Sequence, residues 1–70
     1  MTTLTVAANI KAQMARTATT QQILADALHL SQTAISRRLS GHVCFTIDEL
    51  VAIAAVLGVP VVDLLEDIAA

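Results

Sequence analysis

Apolar residues recur along the chain at the three- and four-residue spacing of amphipathic helices. The first stripe consists of Val6, Ile10 and Met14, and it predicts a helix from about Thr5 to Arg16. Residues 17–20 then break the pattern with three threonines. The spacing beyond this break is again helical, so the whole chain is predicted to be helical.

Two short amphipathic segments follow, with a tight break at His29. Thr20 is a suitable N-cap for the first of them, although Thr19 with Gln22 also fits a capping box. Ser31 is the expected N-cap of the second segment. The residues expected on the buried sides are Ile23, Leu24, Ala27 and Leu28 in the first segment, and Ala34, Ile35 and Leu39 in the second.

The second half of the chain carries clear helix boundaries. Gly41 stands where the third helix needs a left-handed residue after its end. The sequence Thr46–Glu49 is a capping box that opens a fourth helix, and Gly58 ends it. Pro60 precedes a fifth segment, Val61–Ile68. The residues expected to be buried in the fourth helix are Leu50, Ile53, Ala54 and Leu57.

Composition favours one all-α domain over residues 1–70, with 56% hydrophobic and 1% aromatic residues. Five short helices exclude a sheet-based enzyme fold, and so small a domain has little room for a cofactor pocket. The high apolar fraction predicts self-association. No run of about 18 apolar residues could span a bilayer. The N-terminus lacks signal-peptide order, and a single cysteine forms no intramolecular disulfide. We therefore expect a cytoplasmic protein without a membrane partner.

The net charge of −2 conceals a polarised distribution. Residues up to position 42 carry Lys11, Arg16, Arg37 and Arg38 against Asp26 as their acidic residue, whereas the rest carries five acidic residues and no basic one. The basic half could face phosphates while the acidic half faces solvent or a partner. Few cations predict few phosphate contacts and a modest dependence of binding on salt.

The segment at about 20–40 has the form of a helix-turn-helix, whose second helix can enter a DNA major groove. At about 100° per residue, its polar side chains share an arc of about 140° opposite the buried side. Gln can read adenine, Arg can read guanine, and Thr can contact a thymine methyl group. An ordinary solvated helix face is the alternative interpretation. The candidate base-reading residues are Gln32, Thr33, Ser36 and Arg37.

Further candidates lie at the edges of this surface. Ser40 and His42, at the end of the helix and in the following loop, could contact the DNA backbone or simply face solvent. Arg38 lies at about 240° on the same wheel, so its stem should follow the edge of the core. Its guanidinium either reaches a phosphate or pairs with an acidic residue such as Asp26.

Neither a metal site nor a catalytic site is favoured. His29, His42 and Cys44 lack a recognisable metal-ligand spacing. Cys44 beside Phe45 is interpreted as a small buried apolar residue. No base is positioned to activate a serine or the cysteine, so we expect no enzyme activity and no cofactor.

The ordered set of short motifs resembles a known family. The chain carries Thr20-Gln21, Leu24-Ala25, Leu30-Ser31, Ile35-Ser36-Arg37, Gly41, Glu49-Leu50 and Leu57-Gly58-Val59. This set resembles the Cro/repressor-type helix-turn-helix family of phage repressors, Cro proteins and related bacterial regulators. The resemblance runs from about Ile10 to Leu65. It implies a compact five-helix lambda-repressor-like fold and a place in the cytoplasm of a bacterial host.

The resemblance also implies roles for single residues. Gln21 matches the family position at the start of the second helix, where a side chain and a backbone N–H meet a phosphate. His29 stands where the family has a Gly with positive φ, and His is among the residues that tolerate this conformation. Arg38 replaces an apolar residue of the family. Pro60 replaces a capping Ser or Thr, which leaves Asp63 to supply a favourable charge at the helix start.

The apolar C-terminal segment bears on the quaternary state. Leu64 and Ile68 are expected to cover the core while Val62 and Leu65 face outward. A symmetric homodimer through this segment would set two reading helices about 34 Å apart, in successive major grooves. A well-covered monomer tail is the alternative.

These observations together favour a sequence-specific, double-stranded DNA-binding transcription regulator. A phage or prophage Cro protein or immunity repressor that occupies an operator, without a small-molecule ligand, fits them best. Two alternatives stay open: an antitoxin of a toxin–antitoxin pair with the same fold, and a protein-interaction module without DNA binding.

Overall fold

The computed structural model describes residues 3–65, which form five α-helices joined by short turns. The helices are α1 (Thr3–Thr17), α2 (Gln21–Leu28), α3 (Gln32–Leu39), α4 (Ile47–Leu57) and α5 (Val62–Leu65). The predicted all-α, five-helix architecture is confirmed, with α1 beginning at Thr3 instead of Thr5. Within this part of the chain, no helix is long and apolar enough to cross a membrane.

One apolar core lies between the helices. The predicted stripe of α1 is confirmed, because Val6, Ile10 and Met14 are all buried. Each large side chain removed from water contributes about 1.5–3 kcal/mol to folding. The four core residues predicted for α4 are confirmed as well, and α2, α3 and α5 complete the core with Leu24, Ala25, Ile35, Leu39 and Leu64.

The prediction for the buried face of α2 was partly wrong. Leu24 is buried and Leu28 half-buried, as expected, but Ile23 is 47% exposed and Ala27 is exposed. Ala25 is buried in their place. The helix α2 packs against both α3 and α4, and its buried side is the one that carries Leu24 and Ala25.

Side chains cap the helix starts largely as predicted. The Ile23 amide donates to Thr20 Oγ1 at 3.2 Å, which makes Thr20 the N-cap of α2. The alternative capping box at Thr19 is not formed, since the Thr19 hydroxyl lies 2.8 Å from that of Thr17. The capping box of α4 is confirmed by reciprocal hydrogen bonds between Thr46 and Glu49.

Four helices end with a residue in the left-handed conformation. These residues are Ala18, His29, Gly41 and Gly58, with φ between 55° and 87°. In each case the next amide reaches back five residues to a helix carbonyl at 2.9–3.1 Å, the bond of a Schellman motif. The positive φ predicted at His29 and Gly41 is confirmed. Ala18 was not foreseen, because Ala is the strongest helix former and carries no turn signal.

The fifth helix is described over Val62–Leu65, and Ile68, which was expected to cover the core, lies outside the described residues. Leu64 is fully buried and Val62 is 54% exposed, both as expected. Leu65 was expected to face outward but is half-buried against the core, because α5 packs closely on α1.

A buried polar contact joins the two ends of the fold. Asn9 is 7% exposed, and its Nδ2 donates to the Leu64 carbonyl at 3.1 Å. This bond gives the Leu64 carbonyl a side-chain donor from α1. Nothing in the apolar pattern indicated it.

Candidate nucleic-acid interface

The helix α3 divides into a packed side and a polar side. Ile35 and Leu39 are buried, and Ala34 is half-buried. The helix begins at its predicted N-cap, where the Ala34 amide donates to Ser31 Oγ at 3.0 Å. Five polar side chains lie on the opposite, exposed side, whereas Arg38 is half-buried; the five are Gln32, Thr33, Ser36, Arg37 and Ser40. The predicted division of the helix into two faces is therefore confirmed.

The turn between α2 and α3 sets the position of this polar side. His29 has φ 57° and ψ 38°, and its amide donates to the Asp26 carbonyl at 3.3 Å. The Leu30 amide donates to the Ala25 carbonyl at 2.9 Å. The chain thus leaves α2 and enters α3 within three residues, so α3 stands at a fixed angle to α2 with its polar side outward.

An open concavity with a volume of about 340 Å³ lies between α2 and α3. We call it the α2–α3 groove, and it is lined by Gln21, Gln32, Thr33, Ser36 and Arg37. Gln21 is the first residue of α2, and the other four residues come from the first six positions of α3. The lining side chains carry amide, hydroxyl and guanidinium groups, and Arg37 gives the groove a positive charge. Amide, hydroxyl and guanidinium groups hydrogen-bond to base edges and to phosphate oxygens.

The remaining candidates at the C-terminal end of α3 lie outside the groove lining. The Ser40 hydroxyl donates to the Ser36 carbonyl at 2.7 Å, so its hydrogen is engaged within the helix end. The His42 amide donates to the Arg37 carbonyl at 3.0 Å, and the His42 side chain is exposed. Both residues border the surface from which the polar side of α3 projects.

Arg38 has an acidic partner, but a different one from the residue named in the prediction. Its Nε donates to Glu49 Oε1 at 3.1 Å, and its Nη1 donates to the Ala34 carbonyl at 3.2 Å. Asp26 instead accepts a hydrogen bond from Gln22 at 2.8 Å. Of the two alternatives for Arg38, the structure has the pairing with an acidic residue, and the partner is Glu49 instead of Asp26 because Arg38 points toward α4. Glu49 was missed because it lies on α4, and helical periodicity within α3 does not indicate partners on another helix.

The interpretation of Cys44 was also wrong. Its side chain is exposed, whereas its neighbour Phe45 is half-buried against the core. In the loop before α4 it is the ring of Phe45, and not the thiol of Cys44, that packs against the core. Among the described residues, no group of three or more His, Cys, Asp or Glu side chains is placed to hold a metal ion.

Comparison with known families gives a match that covers most of the described helices. A family model described as helix-turn-helix matches residues 10–64, which is most of the chain. The matched segment runs from the middle of α1 to α5 and includes the whole α2–α3 groove. No curated protein and no solved structure gives a significant match.

Proposed function

The chain belongs to the Cro/repressor-type helix-turn-helix family, and we propose that it represses transcription by occupying an operator that overlaps a promoter. Proteins of this family bind DNA and regulate transcription. A phage or prophage Cro protein or immunity repressor is the role we favour within it. The α2–α3 groove is the observation that carries the proposal, because it gathers five of the eight candidate contact residues on one exposed surface.

The groove residues are assigned to base reading by their chemistry. Arg37 would donate two hydrogen bonds to a guanine, and Gln32 would donate to and accept from an adenine. Thr33 and Ser36 have short side chains suited to a close approach of the helix to the bases. Their methyl and hydroxyl groups fit thymine methyl groups and base-edge acceptors.

The flanking residues are assigned to the DNA backbone. Gln21 lies at the N-terminus of α2, where free amide groups and the helix dipole favour a phosphate. His42 is exposed beyond the other end of α3, and the Ser40 hydroxyl oxygen can accept a hydrogen bond beside it. These contacts would fix the register of the protein on the duplex without reading sequence.

A homodimer would place two grooves on one operator. Val62 is 54% exposed on α5, and Val61 before it is 36% exposed, which supports this end of the fold as the interface. Leu65 contributes less than expected because it is half-buried in its own chain. Two reading helices related by a two-fold axis would meet half-sites about 34 Å apart.

A homodimer predicts a sedimentation coefficient that rises with protein concentration. A single substitution at the interface should weaken this dependence. We expect Val62→Lys to lower the sedimentation coefficient at concentrations where the wild type is dimeric, since it places a charge in an apolar contact. Val51→Lys is the matched control, because Val51 on α4 is 53% exposed and lies outside the proposed interface. Equal effects of the two substitutions, or none, would exclude an α5 interface.

Fluorescence anisotropy on DNA from upstream of the protein's own gene, compared with scrambled DNA at two salt concentrations, tests the function. We expect the wild type to prefer the upstream DNA and Arg37→Ala to abolish most of that preference. Loss of a bidentate arginine–guanine contact costs about 1–3 kcal/mol, or roughly 5- to 150-fold in affinity.

Arg16→Ala is the control, since Arg16 is an exposed arginine on α1 outside the groove. It should weaken binding to both DNAs about equally. No preference and no salt dependence in the wild type would refute the proposal. That result would favour a protein partner for the apolar C-terminal segment, as in an antitoxin or an interaction module.

A further inference from the structure

The carboxylate of Glu49 on α4 contacts Arg38 on α3 and the Thr46 amide in the loop between the two helices. Its Oε1 accepts a hydrogen bond from Arg38 Nε at 3.1 Å and another from the Thr46 amide at 2.9 Å. Arg38 also donates through Nη1 to the Ala34 carbonyl, one turn back in α3. The guanidinium is therefore fixed at one point on its own helix and at a second point on the first turn of α4.

This link is shielded from water and crosses a loop. The side chains of Arg38 and Glu49 are each 17% exposed, so solvent screens the pair less than it screens an exposed ion pair. The helices α3 and α4 are separated by residues 40–46, which are not helical. The Arg38–Glu49 contact therefore restrains the orientation of α3 relative to α4 in addition to the loop backbone.

The rotation of α3 about its axis determines where the groove residues point. Arg38 follows Arg37 directly, so the two side chains leave the helix about 100° apart. Arg37 lines the α2–α3 groove, while Arg38 is held toward α4. Binding constellations lose function when side chains are displaced by more than about 10–20°. Ile35 and Leu39 anchor this eight-residue helix in the core, and the Arg38–Glu49 pair adds a restraint on the side that faces α4.

We propose that Arg38 and Glu49 are positioning residues that hold α3 in the rotation required for sequence discrimination, without contacting DNA themselves. The inference rests on the proposed DNA-binding function. A competing arrangement would have Arg38 leave Glu49 for a phosphate in the complex. The two differ in salt dependence, because a lost phosphate contact lowers the slope of log affinity against log salt by about 1.

The test measures affinity for upstream and scrambled DNA across several salt concentrations in two variants. Arg38→Met keeps an apolar stem and removes both guanidinium bonds. Glu49→Gln retains an oxygen acceptor for the capping box, because Gln is accepted at this position. We expect both variants to lose about five- to tenfold of the preference for upstream DNA, a size typical of coupling within one network, with an unchanged salt slope.

Matched controls separate positioning from charge. Asp48→Asn removes an exposed carboxylate from the same turn of α4, and Arg16→Met removes an exposed arginine. Both should keep the preference of the wild type. Arg38→Lys retains the charge but cannot make the two guanidinium bonds, so it should behave like Arg38→Met. Circular dichroism identifies a temperature at which every variant is folded, so the comparison reports discrimination and not unfolding.

Each contrary outcome has its own meaning. Full preference in both Arg38→Met and Glu49→Gln would overturn the positioning role while leaving the DNA-binding function intact. A lower salt slope in Arg38→Met, restored by Arg38→Lys, would overturn it in favour of a phosphate contact. A wild type that does not discriminate between the two DNAs would overturn the proposed function and this inference with it.

Discussion

Replacing Ala18 by Gly is expected to stabilise the fold. Ala18 ends α1 with φ 55°, a conformation that costs an L-residue about 1–2 kcal/mol. Its side chain is exposed, so removing the methyl group takes little packing away. The flexibility that Gly adds to the unfolded chain offsets about 0.4–1 kcal/mol of the gain. The net increase in the free energy of unfolding is therefore about 0.5–1 kcal/mol.

Thermal unfolding followed by circular dichroism measures this effect. For a domain of this size, about 0.5–1 kcal/mol corresponds to a rise in Tm of about 2–8 °C. Each protein is compared at the same two concentrations, because association would itself raise Tm. His29→Gly should act in the same direction but less strongly, since His tolerates positive φ better than Ala does.

Gly58→Ala provides the control of opposite sign. Gly58 has φ 71°, and a Cβ built on it meets no atom within 4 Å. The cost of the added methyl group is therefore conformational and not steric, and we expect Tm to fall by about the amount that Ala18→Gly raises it. An unchanged or lower Tm in Ala18→Gly, or a neutral Gly58→Ala, would refute the assignment of strain to these turns.

Two further substitutions test single hydrogen bonds by urea denaturation. Asn9→Ala should lower the free energy of unfolding by about 1–3 kcal/mol, because the buried Leu64 carbonyl loses its side-chain donor. A loss below a few tenths of a kcal/mol would mean that this bond does not hold α5. Ser31→Ala should cost about 1 kcal/mol, because the Ala34 amide loses its cap, and it should also weaken DNA binding by loosening the start of α3. Unchanged stability in Ser31→Ala would show that another group caps the helix.

Features that depend on neighbouring residues could be predicted from the sequence. The caps at Ser31 and Thr46 involve partners three positions away, so the pattern contains both members of each hydrogen bond. The buried faces of α1 and α4 follow from stripes that persist over several turns. The polar face of α3 was predictable for the same reason. The candidate contact residues on α3 followed from spacing, whereas Gln21 was named as a phosphate contact from the family resemblance.

Features that depend on distant residues could not be predicted. In α2, apolar residues occupy five of the six positions from Ile23 to Leu28, so neighbouring helices decide which side is buried. The partner of Arg38 lies eleven residues away, and that of Asn9 lies 55 residues away. No helical period connects such pairs. They are set by the packing of α3, α4 and α5 once the fold has formed.

The bond between Asn9 and Leu64 has a consequence for the order of folding. Joining residues 55 positions apart closes a loop whose entropic cost exceeds that of a ten-residue loop by about 1.5 kcal/mol. The turn between α2 and α3 closes over a much shorter span, so the helix-turn-helix is expected to assemble early. Docking of α5 on α1 would then be a late step. Substitutions in α5 should accordingly act mainly on the unfolding rate, and those in the turn around His29 on the folding rate.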